Sequence, residues 1–559
     1  MPGNFALSAL DWSIFAAYFA LVFYIAWIFG RRQHSTVKQY FLANDSIPWF
    51  AVGASMIASS LSTEQMIGTN GASYKYGFCI AQWDCYTLPP VTMLVWIFLP
   101  IYLRRRISTI PEFLAQRYGE GLRDAFAFIA VLSYPFVFLS VVLYSGSVLF
   151  SSLFPFQLTI HGHDATILFW STVMIVFTVI YTVWGGLAAV VWTDSIQFLI
   201  LFASGLIIFV CGIRAIAGSS GPDLLWHGWL TLRSSQMERF HLIQPIDHPL
   251  VPWPSLIMRI VTTQLYYNCA NQFIVQRALA AKSDWDARMG ALSYAAAGLV
   301  LPFVDIFPGM IAYQLNPHLA DANRVVPYLL RTVIPAGWGM RGFILAGMAA
   351  AVMSTPSSLI NSTSTVFTLD FYKKRLRPQA SEGELLRAGR IASVMTAVCA
   401  VLWAPMVGNY KLIFTYFQSF LAYIAAPAGA IFLLGVFWKR ASQKAALSAL
   451  GIGLPFCLFI EFLTKSRPDY WLWFVHMKLG QVSFVYISFI GWVLSMAIMI
   501  TISLLEPERA QPEIADLMWN RSAFTEPVAN GAPLPWYKSL VLWYVIFVVV
   551  WIWSLSRFL

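Results

Sequence analysis

Charge is scarce in this chain: Asp, Glu, Lys and Arg make up 11% of 559 residues, 26 of them acidic and 36 basic. So little charge excludes an ordinary water-soluble globule, in which about a quarter of residues are charged. The six cysteines (Cys79, Cys85, Cys211, Cys269, Cys399 and Cys457) all sit in apolar stretches without metal-ligand spacing. They exclude a disulfide framework or zinc site and read as small buried hydrophobes. No Walker motif occurs, and no G-x-G-x-x-G follows a strand-like run, which argues against an ATP-driven pump. A large soluble insertion is missing too, since the longest polar stretches are residues 217–251 and 506–534.

What fills the chain is apolar. Hydrophobic residues reach 58%, mean hydropathy is +0.66, and runs long enough to cross a bilayer recur from end to end. About fourteen helical spans are expected, centred near Ala20, Met56, Met93, Leu132, Met174, Phe202, Gln264, Leu301, Met353, Thr396, Ala422, Gly451, Val493 and Phe547. The net charge of +10 is no nucleic-acid signal, because the basic residues fall between spans: Arg31 and Arg32, Arg104 to Arg106, Arg277 with Lys282, Lys373 to Arg375, Lys439 and Arg440. The positive-inside rule places these loops in the cytoplasm of a multi-pass protein of the cell's inner, plasma membrane, with both termini extracytoplasmic. The first span lacks a small-residue cleavage site and reads as a retained helix.

Ionisable residues inside spans are costly, so Glu64, Asp84, Asp194 and Asp305 are functional candidates. Glu64 lies in ASSLSTEQMIGTNG (58–71), where Ser, Thr and Gly interrupt an apolar run; a helix break lining a cavity and a helix end near the headgroups both fit. Asp84, in QWDCYT, reads either as a solute-binding acid beside Trp83 or as a structural hydrogen-bond partner. Asp194 stands near the start of a span, where it reads as a first-turn cap. Asp305 lies between Pro302 and Pro308, where it serves either the distorted backbone or an ion path. The richest stretch is 345–372, LAGMAAAVMSTPSSLINSTSTVFTLDFY, in which Ala351, Ser354, Thr355 and Ser358 share one helix face. Hydroxyls on an oily helix suit a dehydrated small cation, or serve as packing contacts between membrane helices.

Six stretches carry a resemblance: SSLSTEQMIGTNG, LPIYLRRRISTIPEFLAQRYG, YTVWGGLAAVVWTDSIQ, NQFIVQRALAAKS, AAAVMSTPSSLINSTSTVFTLDFY and AIFLLGVFWKR. In this order the chain resembles the sodium:solute symporter family, in its sodium/glucose cotransporter branch, from about residue 40 to 440. The resemblance implies an all-α membrane fold of the leucine-transporter type, with two inverted five-helix repeats over 47–216 and 251–440. An extra N-terminal helix (1–46), an external loop (217–250) and C-terminal helices (441–559) complete it. Such repeats place ligands at the bilayer midplane between discontinuous helices. Breaks are expected near residues 60–64 and 264–268.

The resemblance also implies ligands. A first sodium site takes the carbonyls of Ala58, Leu61 and Ala351 with the hydroxyls of Ser354 and Thr355. A second sodium matches Asp194, Ser357 and Ser358, with Ser354 shared. Pro356, absent from the sugar transporters, introduces a bend between the two serine pairs. Gln65, Asp84, Gln264 and Gln418 stand at solute-binding positions, and Tyr267 matches an aromatic closing beneath the sugar. Two departures stand out, because the family's glutamate is the shorter Asp84 and its sugar-binding lysine is Gly298.

The reading is a symporter that couples sodium entry to import of a small polar solute, most simply a sugar, polyol or sugar derivative. The glutamines, with no unpaired Arg or Lys among them, favour a neutral polyhydroxylated solute. Alternatives are an amino-acid or carboxylate symporter, and a non-transporting sensor on the same fold. Sodium and the solute are the expected partners beside the bilayer, with no nucleic acid, catalytic group or obligate protein partner. A membrane-embedded enzyme would need paired acids or a histidine–metal cluster at depth, and histidines such as His161, His163 and His318 fall in loops.

Overall fold

The computed structural model describes residues 7–558 apart from 32–35, 155, 161–162, 219–222, 411–412, 473–476, 508–511 and 525–534, so Arg32 and His161 lie outside the described residues. The described chain is helical except for loops and two short hairpins, Thr159–Ile160 with His163–Asp164 and Trp471–Leu472 with Met477–Lys478. Every expected span centre lies on a helical residue except Leu301, which falls at a 45° bend between Asp284–Ala297 and Pro302–Leu315.

Fewer helices than fourteen are individually long and apolar enough to cross a membrane: nine among the described residues, or ten with the bent pair. The shortfall has local causes. Trp49–Ser60 has 12 residues and Leu540–Leu555 has 16, short of a full crossing. The expected spans around Met174 and Phe202 join in one 52-residue element, Thr166–Ala217, which turns at Gly186 (φ 60, ψ −164). Only glycine adopts that backbone readily, and a Cβ there would also press on the Tyr40 carbonyl. Asp194 lies about two turns beyond this break, too far along to cap it, and is fully buried.

Two interruptions shape the centre. The Trp49–Ser60 helix stops at Leu61, whose ψ of 72 leaves the helical region, and Ser62 restarts the chain by accepting the Gln65 N–H at 3.3 Å. The second break falls at Asn271 (φ −95, ψ 121), beyond the expected 264–268. Its delay is local: the Asn268 amide donates to both the Gln264 carbonyl and Gln264 Oε1 at 2.9 Å, which holds the 264–268 turn helical.

The two halves pack closely. Gly53 of Trp49–Ser60 and Gly290 of Asp284–Ala297 face each other's helices, and a Cβ on either would overlap the neighbour, Ser293 or Val52. Asp286 Oδ1 accepts the Trp49 N–H at 2.9 Å, so the second helix caps the first. Two of the six motif stretches also meet: Arg117 donates to the carbonyls of Gly435 (2.6 Å), Trp438 (2.8 Å) and Ala441 (3.1 Å), closing the end of Ile413–Phe437.

Candidate functional site

Breaking the helix at Leu61 strips the last carbonyls of Trp49–Ser60 of their usual i+4 donors. Met340–Val366 supplies replacements: the Ser354 hydroxyl donates to the Ala58 carbonyl at 2.9 Å, and the Thr355 hydroxyl to the Ser59 carbonyl at 3.0 Å. All four residues are buried. Expected ligands Ala58, Ser354 and Thr355 therefore meet; Leu61 sits at the break and Ala351 one turn before Ser354. Thr355 faces Ser59, a carbonyl the sequence reading did not include. Pro356 lies inside the 27-residue helix Met340–Val366, where its missing N–H withholds a donor from the Val352 carbonyl.

The expected second ion site is differently furnished. Asp194 Oδ2 accepts from the Ser55 hydroxyl at 2.6 Å and from Ser358 at 3.5 Å. Ser357 instead donates to the Ser354 carbonyl within its own helix at 2.7 Å. Opposite stands Arg277, fully buried in Gln272–Leu279, with Nη2 3.7 Å from Asp194 Oδ2. Its Nε donates to Ser55 at 3.2 Å, and it also contacts Ser358 and the Phe273 carbonyl. The sequence reading placed Arg277 in a cytoplasmic loop, and that is corrected here. The signal was present, because Arg277 interrupts an apolar helical run and Asp194 had no other counter-charge.

All five expected solute residues (Gln65, Asp84, Gln264, Gln418 and Tyr267) line one cavity, with Trp83 and Gly298. Gln65 Nε2 donates to Asp84 Oδ1 at 3.0 Å, and Gln418 Oε1 has no protein partner among the described residues. A Cβ at Gly298 would run into the Asp84 carbonyl, so no side chain fits there without moving that backbone. Tyr267 and Phe417 also line a second, smaller space that reaches Ser59, Glu64 and Thr355. These two rings thus partition the solute cavity from the hydroxyl–carbonyl cluster.

Among the described residues no Arg or Lys lines this cavity, as expected from the sequence, but Arg259 stands against Trp83. Arg259 lies buried with its guanidinium carbon 3.2 Å from the Trp83 ring centroid, one residue's thickness from the cavity. Its Nε and Nη2 have no hydrogen-bond partner among the described residues. Asp84 and Asp305 are both buried, and neither Asp84 Oδ2 nor either Asp305 oxygen has a hydrogen-bond donor among the described residues.

Comparison with known proteins converges. The profile of the sodium:solute symporter family matches residues 40–453. A sodium/glucose cotransporter of Vibrio parahaemolyticus is 33% identical over 488 residues, covering 83% of this chain and 87% of its own. Sodium/myo-inositol cotransporter 2 of Oryctolagus cuniculus is 32% identical over 571 residues, covering 94% of this chain and 81% of its own. Among solved structures, a sodium-coupled sialic acid symporter in a substrate-bound outward-open state superposes with TM-score 0.73 at 20% identity, covering 90% of this chain and 99% of its own. A nucleobase-cation-symport-1 transporter in a closed conformation gives 0.51 at 14%, covering 87% and 98%. At such identities the structural likeness speaks to fold: a leucine-transporter-type membrane fold.

Proposed function

The chain belongs to the sodium:solute symporter family, and from that premise we propose that it couples sodium entry to import of a neutral polyhydroxylated solute, a sugar or polyol. Sodium is its coupling ion. The convergence of Gln65, Asp84, Gln264, Gln418 and Tyr267 on one cavity carries the solute reading. Amide and carboxyl groups offer mixed donors and acceptors, which suits hydroxyls better than an apolar or purely ionic ligand. The relatives compared above are named as cotransporters, which supports transport over the embedded-enzyme reading.

In this mechanism sodium displaces the hydroxyl–carbonyl bonds at Ala58 and Ser59 and takes the oxygens of Ala58, Leu61, Ala351, Ser354 and Thr355 as ligands. It thereby ties Trp49–Ser60 to Met340–Val366. The solute then docks on Gln65, Asp84, Gln264 and Gln418, and the Tyr267 ring must move before solute passes inward. A second sodium at Asp194, Ser357 and Ser358 would have to share Asp194 with Arg277, so the first site is the stronger assignment. The inverted repeats occupy 47–216 and 251–440, and the basic loops face the cytoplasm of the plasma membrane with both termini outside.

A carboxylate solute is the second reading, favoured by the unpartnered Nε–Nη2 edge of Arg259, whose fork geometry suits a carboxylate. Thermal stabilisation of the purified protein, with and without sodium, against sugars, polyols, sugar acids and amino acids decides between them. Sodium-dependent stabilisation by a sugar or polyol supports the proposal. Stabilisation by acids alone replaces it with the second reading, and a folded protein indifferent to sodium removes the ion site.

A further inference from the structure

The small space behind the Tyr267 and Phe417 rings contains an acid whose charge no basic residue offsets. Glu64 lines that space where the broken helix restarts, together with Ser59, Ser62 and Thr355. It is only 1% exposed. Its Oε1 has no hydrogen-bond partner among the described residues, and its Oε2 is reached by the Ser62 hydroxyl at 3.5 Å. The buried ion pairs among the described residues join Arg123 to Asp370 and Arg277 to Asp194, and leave Glu64 out. A carboxylate taken out of water is paired with a cationic side chain or coordinates a metal ion.

Asp194 makes the contrast. Its charge is already offset by Arg277 Nη2 at 3.7 Å, and the Ser55 and Ser358 hydroxyls donate to it. A cation arriving there would meet a neutralised acid and a guanidinium. At Glu64 the balance is reversed. Trp49–Ser60 ends against the same space, so the negative end of its dipole adds to the carboxylate. Phe138, Phe273 and Leu359 give the space an apolar wall, which leaves the field unscreened. Its oxygens are the hard kind that small metal cations prefer. The Thr355 hydroxyl donates to the Ser59 carbonyl at 3.0 Å, and the Ser62 hydroxyl accepts the Gln65 N–H at 3.3 Å; each oxygen keeps a lone pair to offer. The space is about the size of one water, which suits a single cation stripped of its shell.

We infer that Glu64 anchors a second monovalent-cation site, at which its carboxylate and the hydroxyls of Ser62 and Thr355 hold a sodium ion beside the first site rather than at Asp194. This rests on the reading of Ala58, Leu61, Ala351, Ser354 and Thr355 as the first sodium site. Of those five, Leu61 lines the solute cavity and Thr355 alone borders the Glu64 space, so the two ions occupy separate positions that share one hydroxyl. Tyr267 lines both the solute cavity and the Glu64 space. The ring movement that lets solute pass inward therefore uncovers the second cation as well, and the two leave in the same step.

Counting bound ions tests this. Equilibrium binding of radioactive sodium to the purified wild type should give two ions per chain, and Glu64→Gln should give one. In proteoliposomes, the reversal potential of solute uptake should report two sodium ions per solute for wild type and one for Glu64→Gln. A wild type that binds one sodium overturns the inference, even if the variant fails to fold. So does a Glu64→Gln protein that still binds two. A protonated-carboxyl infrared band in the sodium-saturated wild type, removed by Glu64→Gln, also overturns it, since a proton then holds the carboxylate. If Glu64→Gln loses one ion and Ser354→Ala loses none, the Glu64 site stands and the first-site assignment falls.

Discussion

Ser354→Ala tests the sodium site most directly. In the empty protein the serine hydroxyl donates to the Ala58 carbonyl at 2.9 Å, a neutral hydrogen bond worth ~1 kcal/mol net. In the proposed sodium-bound state the same oxygen would face a cation, and interactions of that kind contribute about 1.5–3 kcal/mol. Alanine removes both, so the difference, about 0.5–2 kcal/mol, is what sodium affinity loses. The half-saturating sodium concentration should therefore rise about twofold to thirtyfold. Because linkage is reciprocal, solute affinity at fixed, sub-saturating sodium should weaken in step and recover when sodium is raised. The assay is solute uptake into proteoliposomes across a sodium series. Ser364→Ala serves as control, since Ser364 donates only to the Asn361 carbonyl of its own helix at 3.1 Å. Unchanged sodium dependence in Ser354→Ala, or an equal shift in the control, would refute the assignment.

Arg277→Gln should leave Asp194 buried without its counter-charge and destabilise the protein by about 3–5 kcal/mol; the double variant with Asp194→Asn should recover much of that loss in thermal unfolding. Equal melting of the single and double variants would mean that the pair, 3.7 Å apart, is not energetically linked. Gly298→Ala should push the Asp84 backbone away and raise the half-saturating solute concentration, while the sodium requirement measured at saturating solute stays put. Unaltered solute affinity there would show that the cavity wall yields without consequence.

The helices were legible because hydrophobic runs announce themselves whatever surrounds them, and the break at Leu61 was legible because Ser, Thr and Gly interrupt such a run. The second break was misplaced by a few residues, since the Asn268–Gln264 hydrogen bonds that postpone it depend on side-chain geometry rather than composition. Ser354 and Thr355 could be placed on one face from spacing alone. Their partners, the carbonyls of Ala58 and Ser59, belong to backbone and leave no mark in the residue types. Arg277 was missed because counting basic residues to orient loops treats each arginine as interfacial, whereas it is buried against Asp194.

The close seat of Gly53 against Gly290 has a mechanical consequence. With Ser293 filling the space that Gly53 leaves and Val52 that of Gly290, and with Asp286 pinning the start of the neighbouring helix, the two rods interlock. At the end away from that cap, the first rod carries the Ala58 carbonyl of the proposed sodium site and the second ends at Gly298, wedged against Asp84 of the proposed solute cavity. Tilting either rod would therefore displace the other. A stiff linkage of this kind lets a carrier keep step between its two cargoes, and a loose one would let either slip across alone.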